Sequence, residues 1–210
     1  MHVPRDIWLS NPAPPHHTGR AGLFLDRDGV LVKEVNYLKN KQDVALEAGA
    51  AALLRWGREK GLGLVCVTNQ SGIARNLIAP EEFEAVEAEI ARQLAAAGAR
   101  LDLTIACPFH PDFTPGYSPE HGLWRKPGPR LIQHAGVLMA LDLASSWLVG
   151  DRARDIEAGR RAGLAGGILV ATGYGAHERD EALALAGGGF KVVAVATLDE
   201  ARAVLAKELD

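Results

Sequence analysis

The chain has 210 residues, of which 48% are apolar and 23% are charged, and this ordinary globular composition excludes a wholly disordered protein. The formal net charge of −3 gives no reason to expect nucleic acid as a partner, and no apolar run approaches the roughly 18 residues that a membrane-spanning helix needs. Two cysteines are too few for a disulfide framework, and the first 20 residues lack the apolar core of a secretion signal, so we expect a cytoplasmic protein.

Residues 1–20 predict an extended arm, because four prolines fall within them and proline suits neither a regular helix nor a central strand. From residue 21 onward, short apolar runs alternate with helical patterns, and we assign residues 21–210 to one domain. The apolar runs predict buried strands at 22–25, 63–68, 103–107, 147–150, 167–171 and 192–195. The helical patterns predict helices near 48–60, 80–97, 129–141 and 154–162, and a last helix that begins at Thr197. An irregular insert at 108–124, rich in proline, glycine and histidine, follows the third strand.

The alternation of strands and helices indicates the fold class. Strands joined by helices build βαβ units, so we expect an α/β fold: a doubly wound, mostly parallel, Rossmann-like sheet with helices on both faces. In such sheets a ligand binds beyond the carboxyl ends of the strands. Functional residues should therefore lie directly after the predicted strands.

Polar segments stand at three of these strand ends. Asp-Arg-Asp-Gly occupies 26–29, Thr-Asn-Gln-Ser-Gly occupies 68–72 and Gly-Asp occupies 150–151, while Arg-Lys-Pro at 125–127 falls between the last two. Each segment alone suits an ordinary turn or helix cap. Their occurrence together, in this order and at strand ends, favours one shared site.

The residue types in these segments suit phosphoryl transfer through an aspartyl-phosphate. A carboxylate can attack phosphorus if a divalent cation and a positive side chain offset the repulsion between two anions. We interpret Asp26 as the nucleophile, and Asp28 as the general acid that protonates the leaving alkoxide and then activates water. Thr68 would donate to the transferring phosphoryl group, and Lys126 would balance its negative charge.

The same segments predict a Mg²⁺ site. Asp26, Asp28 and Asp151 offer the hard oxygen ligands that Mg²⁺ prefers. Asp155 lies four residues after Asp151 and shares its face if the helix has begun, which makes it a candidate to bind a water on the metal rather than the metal itself.

The four segments resemble the four motifs of the haloacid dehalogenase superfamily phosphatases. Residues 26–31 correspond to the first motif, Thr68 to the second, Lys126 to the third and residues 150–155 to the fourth. An aspartate two positions after the nucleophile is typical of the phosphatase and phosphomutase members. The resemblance implies a haloacid dehalogenase-like fold, a Mg²⁺ cofactor and phosphatase activity.

A narrower likeness is to the histidinol-phosphatase branch and, within it, to phosphatases of heptose 1,7-bisphosphate. It is carried by the segments 26–29, 68–75, 107–108 and 125–127. It implies a capless enzyme, and the short interval between the first two motifs leaves little room for a cap domain. By the same likeness, Asn69 and Gln70 line the entrance, and Arg125 meets a second phosphate or a sugar oxygen, where its fork can bind two oxygens at once.

The insert departs from that branch, which carries a zinc loop patterned Cys-x-His and then Cys-x-Cys before Arg-Lys-Pro. Cys107 is present. The other three ligand positions hold Phe109, Gly122 and Trp124. Cys107, His110 and His121 would form a set of ligands at an unusual spacing. We therefore expect no structural zinc, and a loop that is held by the packing of its aromatic side chains.

The sequence thus predicts a Mg²⁺-dependent phosphomonoesterase that acts on a small phosphorylated metabolite, with a sugar phosphate or a heptose 1,7-bisphosphate-like compound as the first choice. Histidinol phosphate is the alternative substrate. A polynucleotide 3′-phosphatase shares similar motifs, but the net charge and the lack of a basic, aromatic-rich stretch disfavour it. A non-catalytic phosphate-binding module is disfavoured because Asp28 would drive hydrolysis of the phosphorylated aspartate. The resemblance implies a monomer, while the net charge and the lack of a long apolar run lead us to expect neither nucleic acid nor a membrane as a partner.

Overall fold

The computed structural model describes residues 4, 6–11 and 13–209, and within them the chain builds a sheet of seven strands. In chain order the strands are β1 (Trp8–Leu9), β2 (Ala21–Leu25), β3 (Gly63–Asn69), β4 (Leu103–Cys107), β5 (Asp142–Gly150), β6 (Gly166–Val170) and β7 (Lys191–Val195). Across the sheet the order is β1-β4-β3-β2-β5-β6-β7. The pair β1–β4 is antiparallel, and the other neighbouring pairs are parallel.

The order of the strands creates a crevice beside β2. From β2 the chain adds β3 and β4 on one side and then returns to place β5 on the other side. A ligand site is expected where the winding direction changes in this way, at the carboxyl ends of β2 and β5. The residues that follow these two strands are Asp26 and Asp151.

The helices cover both faces of the sheet. They are α1 (Ala50–Glu59), α2 (Ser71–Ala74), α3 (Pro80–Ala96), α4 (Pro119–Trp124), α5 (Arg130–Met139), α6 (Ala153–Ala162), α7 (Arg179–Leu183) and α8 (Leu198–Glu208). Leu23 and Leu25 belong to an apolar cluster with side chains of α1, α3 and α8, whereas Phe24 belongs to a second cluster with side chains of α5, α6 and α7. Successive strand residues point to opposite faces, so one buried strand supports both cores.

The predicted fold class is confirmed, and the six predicted strands and five predicted helices all form. Strand β5 begins at Asp142, five residues before its predicted start. The prediction missed its first half because that half is partly exposed and lacks an unbroken apolar run. Helix α4 lies inside the insert that was predicted to be irregular. The sequence did contain a helix-start signal there, a proline (Pro119) directly after a serine (Ser118). In the structure the Ser118 backbone N–H donates to His121 Nδ1 at 3.0 Å.

Strand β1 lies within the stretch that was predicted to be an extended arm. Trp8 pairs with Ala106 and Leu9 pairs with Ile105 on β4. The division into an arm (1–20) and a domain (21–210) stays a prediction, and residues 1–3, 5, 12 and 210 lie outside the described residues. No helix among those described is both long enough and apolar enough to cross a membrane.

Candidate active site

A polar cavity of about 170 Å³ opens at the carboxyl ends of β2, β3 and β5. Most of the residues predicted for catalysis, metal binding and substrate binding line it, and the two that do not, Arg125 and Asp155, are described below. These lining residues are Asp26, Asp28, Thr68, Asn69, Gln70, Lys126 and Asp151. The cavity is also lined by residues to which the sequence analysis assigned no role, namely Glu34, Arg152, Arg154 and Tyr174.

Three buried carboxylates converge at the base of this cavity. One oxygen each from Asp26, Asp151 and Asp155 lies within 4.8 Å of the other two, and this is the only such group of potential metal ligands among residues 4, 6–11 and 13–209. Burial, together with the negative charges of Asp26 and Asp155, raises the pKa of Asp151 to about 8. The three carboxylates repel one another, and their oxygen donors fit a divalent cation such as Mg²⁺.

Glycines allow the backbone to approach the Asp151 carboxylate. Gly29 has a φ of +81°, and a Cβ atom on it would lie 2.5 Å from Asp151 Oδ2. Gly173 has a φ of +56°, and a Cβ atom on it would lie 2.1 Å from the same oxygen. The backbone N–H of Tyr174 donates to the same oxygen at 2.9 Å. A hydrogen bond from Thr172 Oγ1 to the Gly29 carbonyl, at 2.5 Å, joins the two glycine segments. The orientation of the Asp151 side chain is thus fixed by backbone on two sides.

Lys126 supplies the positive charge beside the carboxylates. Its Nζ atom lies 2.8 Å from Asp26 Oδ1, from Asp155 Oδ1 and from the Val67 carbonyl oxygen. Burial alone would lower the pKa of Lys126, but the charges of Asp155 and Asp26 raise it above its usual value, so the group stays an ammonium ion. Asn69 holds the backbone of Lys126 through two reciprocal hydrogen bonds of 3.0 Å.

Asp155 lies closer to the carboxylates than the sequence analysis expected. One of its oxygens belongs to the three-carboxylate group itself, and its predicted contact with a water on the metal stays a prediction. Its Oδ2 atom accepts a hydrogen bond from the backbone N–H of Arg152 at 3.1 Å, because the residue stands in the first turn of α6. This cap at the start of α6 aims the carboxylate back toward Asp26.

Asp28 stands apart from the three-carboxylate group, although it was predicted to be a metal ligand. Gln70 Nε2 donates to Asp28 Oδ2 at 2.9 Å and to Thr68 Oγ1 at 2.8 Å. The Thr68 hydroxyl acts as an acceptor in that contact and keeps its own O–H to donate. Asp28 and Thr68 are therefore linked to each other through Gln70.

Comparison with known proteins identifies the family. Residues 123–201 match the HAD-hydrolase-like family model. The chain is 38% identical over 158 residues to the D-glycero-beta-D-manno-heptose-1,7-bisphosphate 7-phosphatase of Mesorhizobium japonicum, covering 75% of this chain and 71% of that protein. It is 36% identical over 172 residues to the D-glycero-alpha-D-manno-heptose-1,7-bisphosphate 7-phosphatase of Photorhabdus laumondii, covering 80% and 92%. The chain belongs to the haloacid dehalogenase-like phosphatases.

A solved phosphatase shares the fold and contains magnesium and phosphate. The D,D-heptose 1,7-bisphosphate phosphatase of B. bronchiseptica, solved with magnesium and phosphate, superimposes with a TM-score of 0.74 at 30% identity, over 89% of this chain and 99% of that one. The structure and the relatives agree with the predicted phosphatase activity. Because both sequence relatives are named for heptose bisphosphates, the histidinol-phosphatase branch is not confirmed and histidinol phosphate is not favoured as the substrate.

Arg125, predicted to bind substrate, does not line the cavity. Its Nη1 atom donates to the Phe109 carbonyl oxygen at 2.9 Å, so its guanidinium is turned toward the insert. Arg154, an exposed residue in the first turn of α6, lines the cavity instead. Local sequence could have indicated Arg154 through its position between Asp151 and Asp155.

The residues considered for zinc have separate partners in the phosphatase. His110 Nε2 lies 2.9 Å from a guanidinium nitrogen of Arg75. The His121 ring packs edge-on against Phe109, with ring centroids 4.4 Å apart. Cys107 is buried, and burial raises the pKa of its thiol to about 12. The expectation that the loop holds no zinc stays a prediction, and the aromatic contact shows how the loop can pack without that ion.

Glu34 is a site residue that no motif signalled. It lies at the cavity wall, half-buried, in the segment that follows the first motif. Burial and then the charges of Asp28 and Asp26 raise its pKa to about 7. A carboxyl group in this position changes charge near neutral pH at the wall of the cavity.

Proposed function

We propose that this phosphatase hydrolyses one phosphomonoester of a small sugar bisphosphate of the heptose 1,7-bisphosphate type, through an aspartyl-phosphate on Asp26. The observation that carries the proposal is the position of Asp26. It is the residue at which the three-carboxylate group, the Lys126 ammonium at 2.8 Å and the polar cavity meet. A nucleophile of this kind needs a cation site and a positive side chain beside it.

In the first step, an Asp26 carboxylate oxygen forms a bond to phosphorus while the bond from phosphorus to the sugar oxygen breaks. Lys126 fixes Asp26 Oδ1 and so sets the orientation of the carboxylate. The Thr68 hydroxyl donates to an oxygen of the transferring phosphoryl group. Asp28 delivers its proton to the departing sugar oxygen, so the product leaves as a neutral alcohol.

In the second step, Asp28 accepts a proton from a water molecule whose oxygen attacks the phosphorus of the aspartyl-phosphate. The bond between phosphorus and Asp26 breaks, and inorganic phosphate and the free carboxylate result. Bound Mg²⁺ would be held by Asp26, Asp151 and Asp155, and it supplies positive charge that offsets the repulsion between phosphate and carboxylates. The second role of Asp28 is the reason for assigning turnover rather than stable phosphorylation.

The choice of a bisphosphate is supported by the relatives and by the cavity mouth. Both sequence relatives are named for heptose 1,7-bisphosphates. Arg154 offers an exposed guanidinium at the cavity wall, whereas the guanidinium of Arg125 is engaged with Phe109. We assign the second phosphate to Arg154, since a guanidinium can bind two phosphate oxygens at once.

The decisive experiment ranks substrates by kcat/KM in the presence of Mg²⁺. The panel contains heptose and hexose bisphosphates, the matching monophosphates, histidinol phosphate and a 3′-phosphorylated oligonucleotide. We expect a bisphosphate to rank first, and Asp26→Asn to abolish phosphate release while the matched change of an exposed aspartate, Asp180→Asn, leaves it intact. A top-ranked histidinol phosphate or oligonucleotide contradicts the substrate assignment, and turnover by Asp26→Asn contradicts the nucleophile.

A further inference from the structure

Arg27 lies between the nucleophile and the acid/base in the chain, and its long cationic side chain is 1% exposed. Burial of an arginine is costly unless the guanidinium is paired and hydrogen-bonded. No step of the proposed reaction uses Arg27. A buried cation in this position therefore needs another explanation.

All three guanidinium nitrogens of Arg27 are bonded to carboxylates. Nε donates to Asp28 Oδ2 at 3.1 Å and Nη2 donates to Asp28 Oδ1 at 3.0 Å, which forms a two-pronged clamp. Nη1 donates to Glu87 Oε1 on α3 at 2.9 Å. The Phe83 ring, also on α3, lies 5.7 Å from the guanidinium carbon. The clamp on Asp28 is thus anchored to a helix that packs on the sheet.

We propose that Arg27, anchored by Glu87, is a positioning residue that holds the Asp28 carboxylate in the orientation required for proton transfer to the leaving group. The proposal rests on the proposed function of Asp28. A general acid must meet the leaving oxygen within hydrogen-bond reach, and an unrestrained carboxylate rotates about its terminal torsion. The planar guanidinium fork matches both oxygens of a carboxylate, so it restricts this rotation in a way that a single ammonium contact does not.

Glu87 has a distinct part in this arrangement. Burial alone would lower the pKa of Arg27, but the charges of Asp28 and Glu87 raise it above its usual value, and Arg27 keeps its charge throughout. When Asp28 carries the proton that it delivers, Asp28 no longer balances that charge. Burial raises the pKa of Glu87, and the charge of Arg27 at 2.9 Å opposes that rise. The contact with Glu87 therefore keeps a carboxyl partner beside the buried guanidinium during both halves of the reaction.

The test compares two classes of ester in the same enzyme preparation. An alkyl phosphate such as glycerol 1-phosphate needs a proton on its leaving oxygen, whereas p-nitrophenyl phosphate releases a stable phenolate that needs none. The value of kcat/KM reports the steps up to leaving-group departure, before the shared hydrolysis of the aspartyl-phosphate. We expect Arg27→Lys to lower kcat/KM for the alkyl ester by about 10²-fold, within the range that general acid catalysis contributes, and for the aryl ester by less than about tenfold.

Three further comparisons separate a positioning role of Arg27 from a general loss of folding. The double variant Arg27→Met with Glu87→Met removes the buried cation and its anchor together, and it should show the same selective loss. Glu84→Gln changes an exposed glutamate of α3 and should leave both esters at the wild-type rate. In an Asp28→Asn background, Arg27→Lys should add no further preference for the aryl ester, because the residue that it positions has been removed.

Equal losses on both esters would show that Arg27 has a structural role alone, and a wild-type alkyl rate in Arg27→Lys would show that the fork is not needed. Either result overturns the positioning role while leaving the proposed function intact, provided that Asp26→Asn is inactive. Activity in Asp26→Asn would instead overturn the proposed function itself. The two failures are therefore distinguishable with one set of proteins.

Discussion

Replacing Asp151 with asparagine should make the metal-free protein more stable at neutral pH. Burial and the charges of Asp26 and Asp155 raise the pKa of Asp151 from the ordinary value of 3.8 to about 8. Between these values the folded protein holds a proton that the unfolded chain has released. The unfolded state then binds fewer protons, so the free energy of unfolding falls as the pH rises.

The size of the effect follows from the difference in pKa. One pH unit corresponds to about 1.4 kcal/mol, so the loss between pH 4 and pH 8 approaches about 6 kcal/mol as an upper limit. Asparagine cannot ionise, and its side-chain oxygen can still accept the hydrogen bond from Tyr174. The variant should therefore avoid most of the loss without breaking the local structure.

Urea unfolding between pH 5 and pH 8 in the presence of EDTA measures this difference. We expect the advantage of Asp151→Asn over wild type to grow by about 1 kcal/mol per pH unit, whereas Asp180→Asn, a change of an exposed carboxylate in α7, follows wild type. Saturating Mg²⁺ should flatten the wild-type curve and leave that of Asp151→Asn nearly unchanged. Parallel curves for wild type and Asp151→Asn would refute the reasoning, because they would show that the Asp151 carboxyl group has no elevated pKa.

Three further predictions concern activity. Gly173→Ala should lower kcat by about 10²-fold, because the new Cβ displaces Asp151 Oδ2. Gly116→Ala, at a similar positive φ with no atom within 4 Å, should add backbone strain without that displacement and leave activity intact; equal kinetics of the two variants would contradict this. Glu34→Gln should flatten the decline of kcat/KM as the pH rises through about 7, because wild-type Glu34 gains a negative charge there and repels the phosphate; an unchanged profile would remove Glu34 from the entrance. Arg154→Ala should lower kcat/KM for a bisphosphate by about tenfold and leave the matching monophosphate within about twofold, and equal losses on both would move the second phosphate elsewhere.

Much of the sheet could be predicted because its central strands are buried on both faces. Residues 22–25 and 63–68 are apolar at nearly every position, and each strand contributes side chains to the core on either face. The first half of β5 could not be predicted in this way, since its burial alternates and its register with β2 shifts after Ala21. Strand β1 has two residues, which is too short for any periodic pattern to register.

The candidate site was predictable in composition and less so in orientation. Motif spacing indicated that Asp26, Lys126 and Asp151 would meet, because the ends of neighbouring parallel strands share one edge of the sheet. It could not show which way a long side chain on a loop points. Arg125 directly precedes Lys126 in the chain, yet its guanidinium turns to the Phe109 carbonyl, since the insert folds back beside it. The roles assigned to these residues stay predictions until the variants are measured.

The short strand β1 affects whether other chains can pair with the edge of the sheet. Open edge strands offer unpaired N–H and C=O groups on which other chains can polymerise. Here the edge of β4 is paired by residues of the same chain: Trp8 and Leu9 form the antiparallel pairing with β4. Beyond them, Ser10 N donates to the Thr104 carbonyl at 3.0 Å, and Thr104 N donates to Ser10 Oγ at 2.8 Å. Because β1 stops after two residues, it closes this edge without presenting a long new one. Residues 8–10 thereby cover the edge of β4 along residues 104–106, and a covered edge disfavours edge-to-edge pairing with another chain.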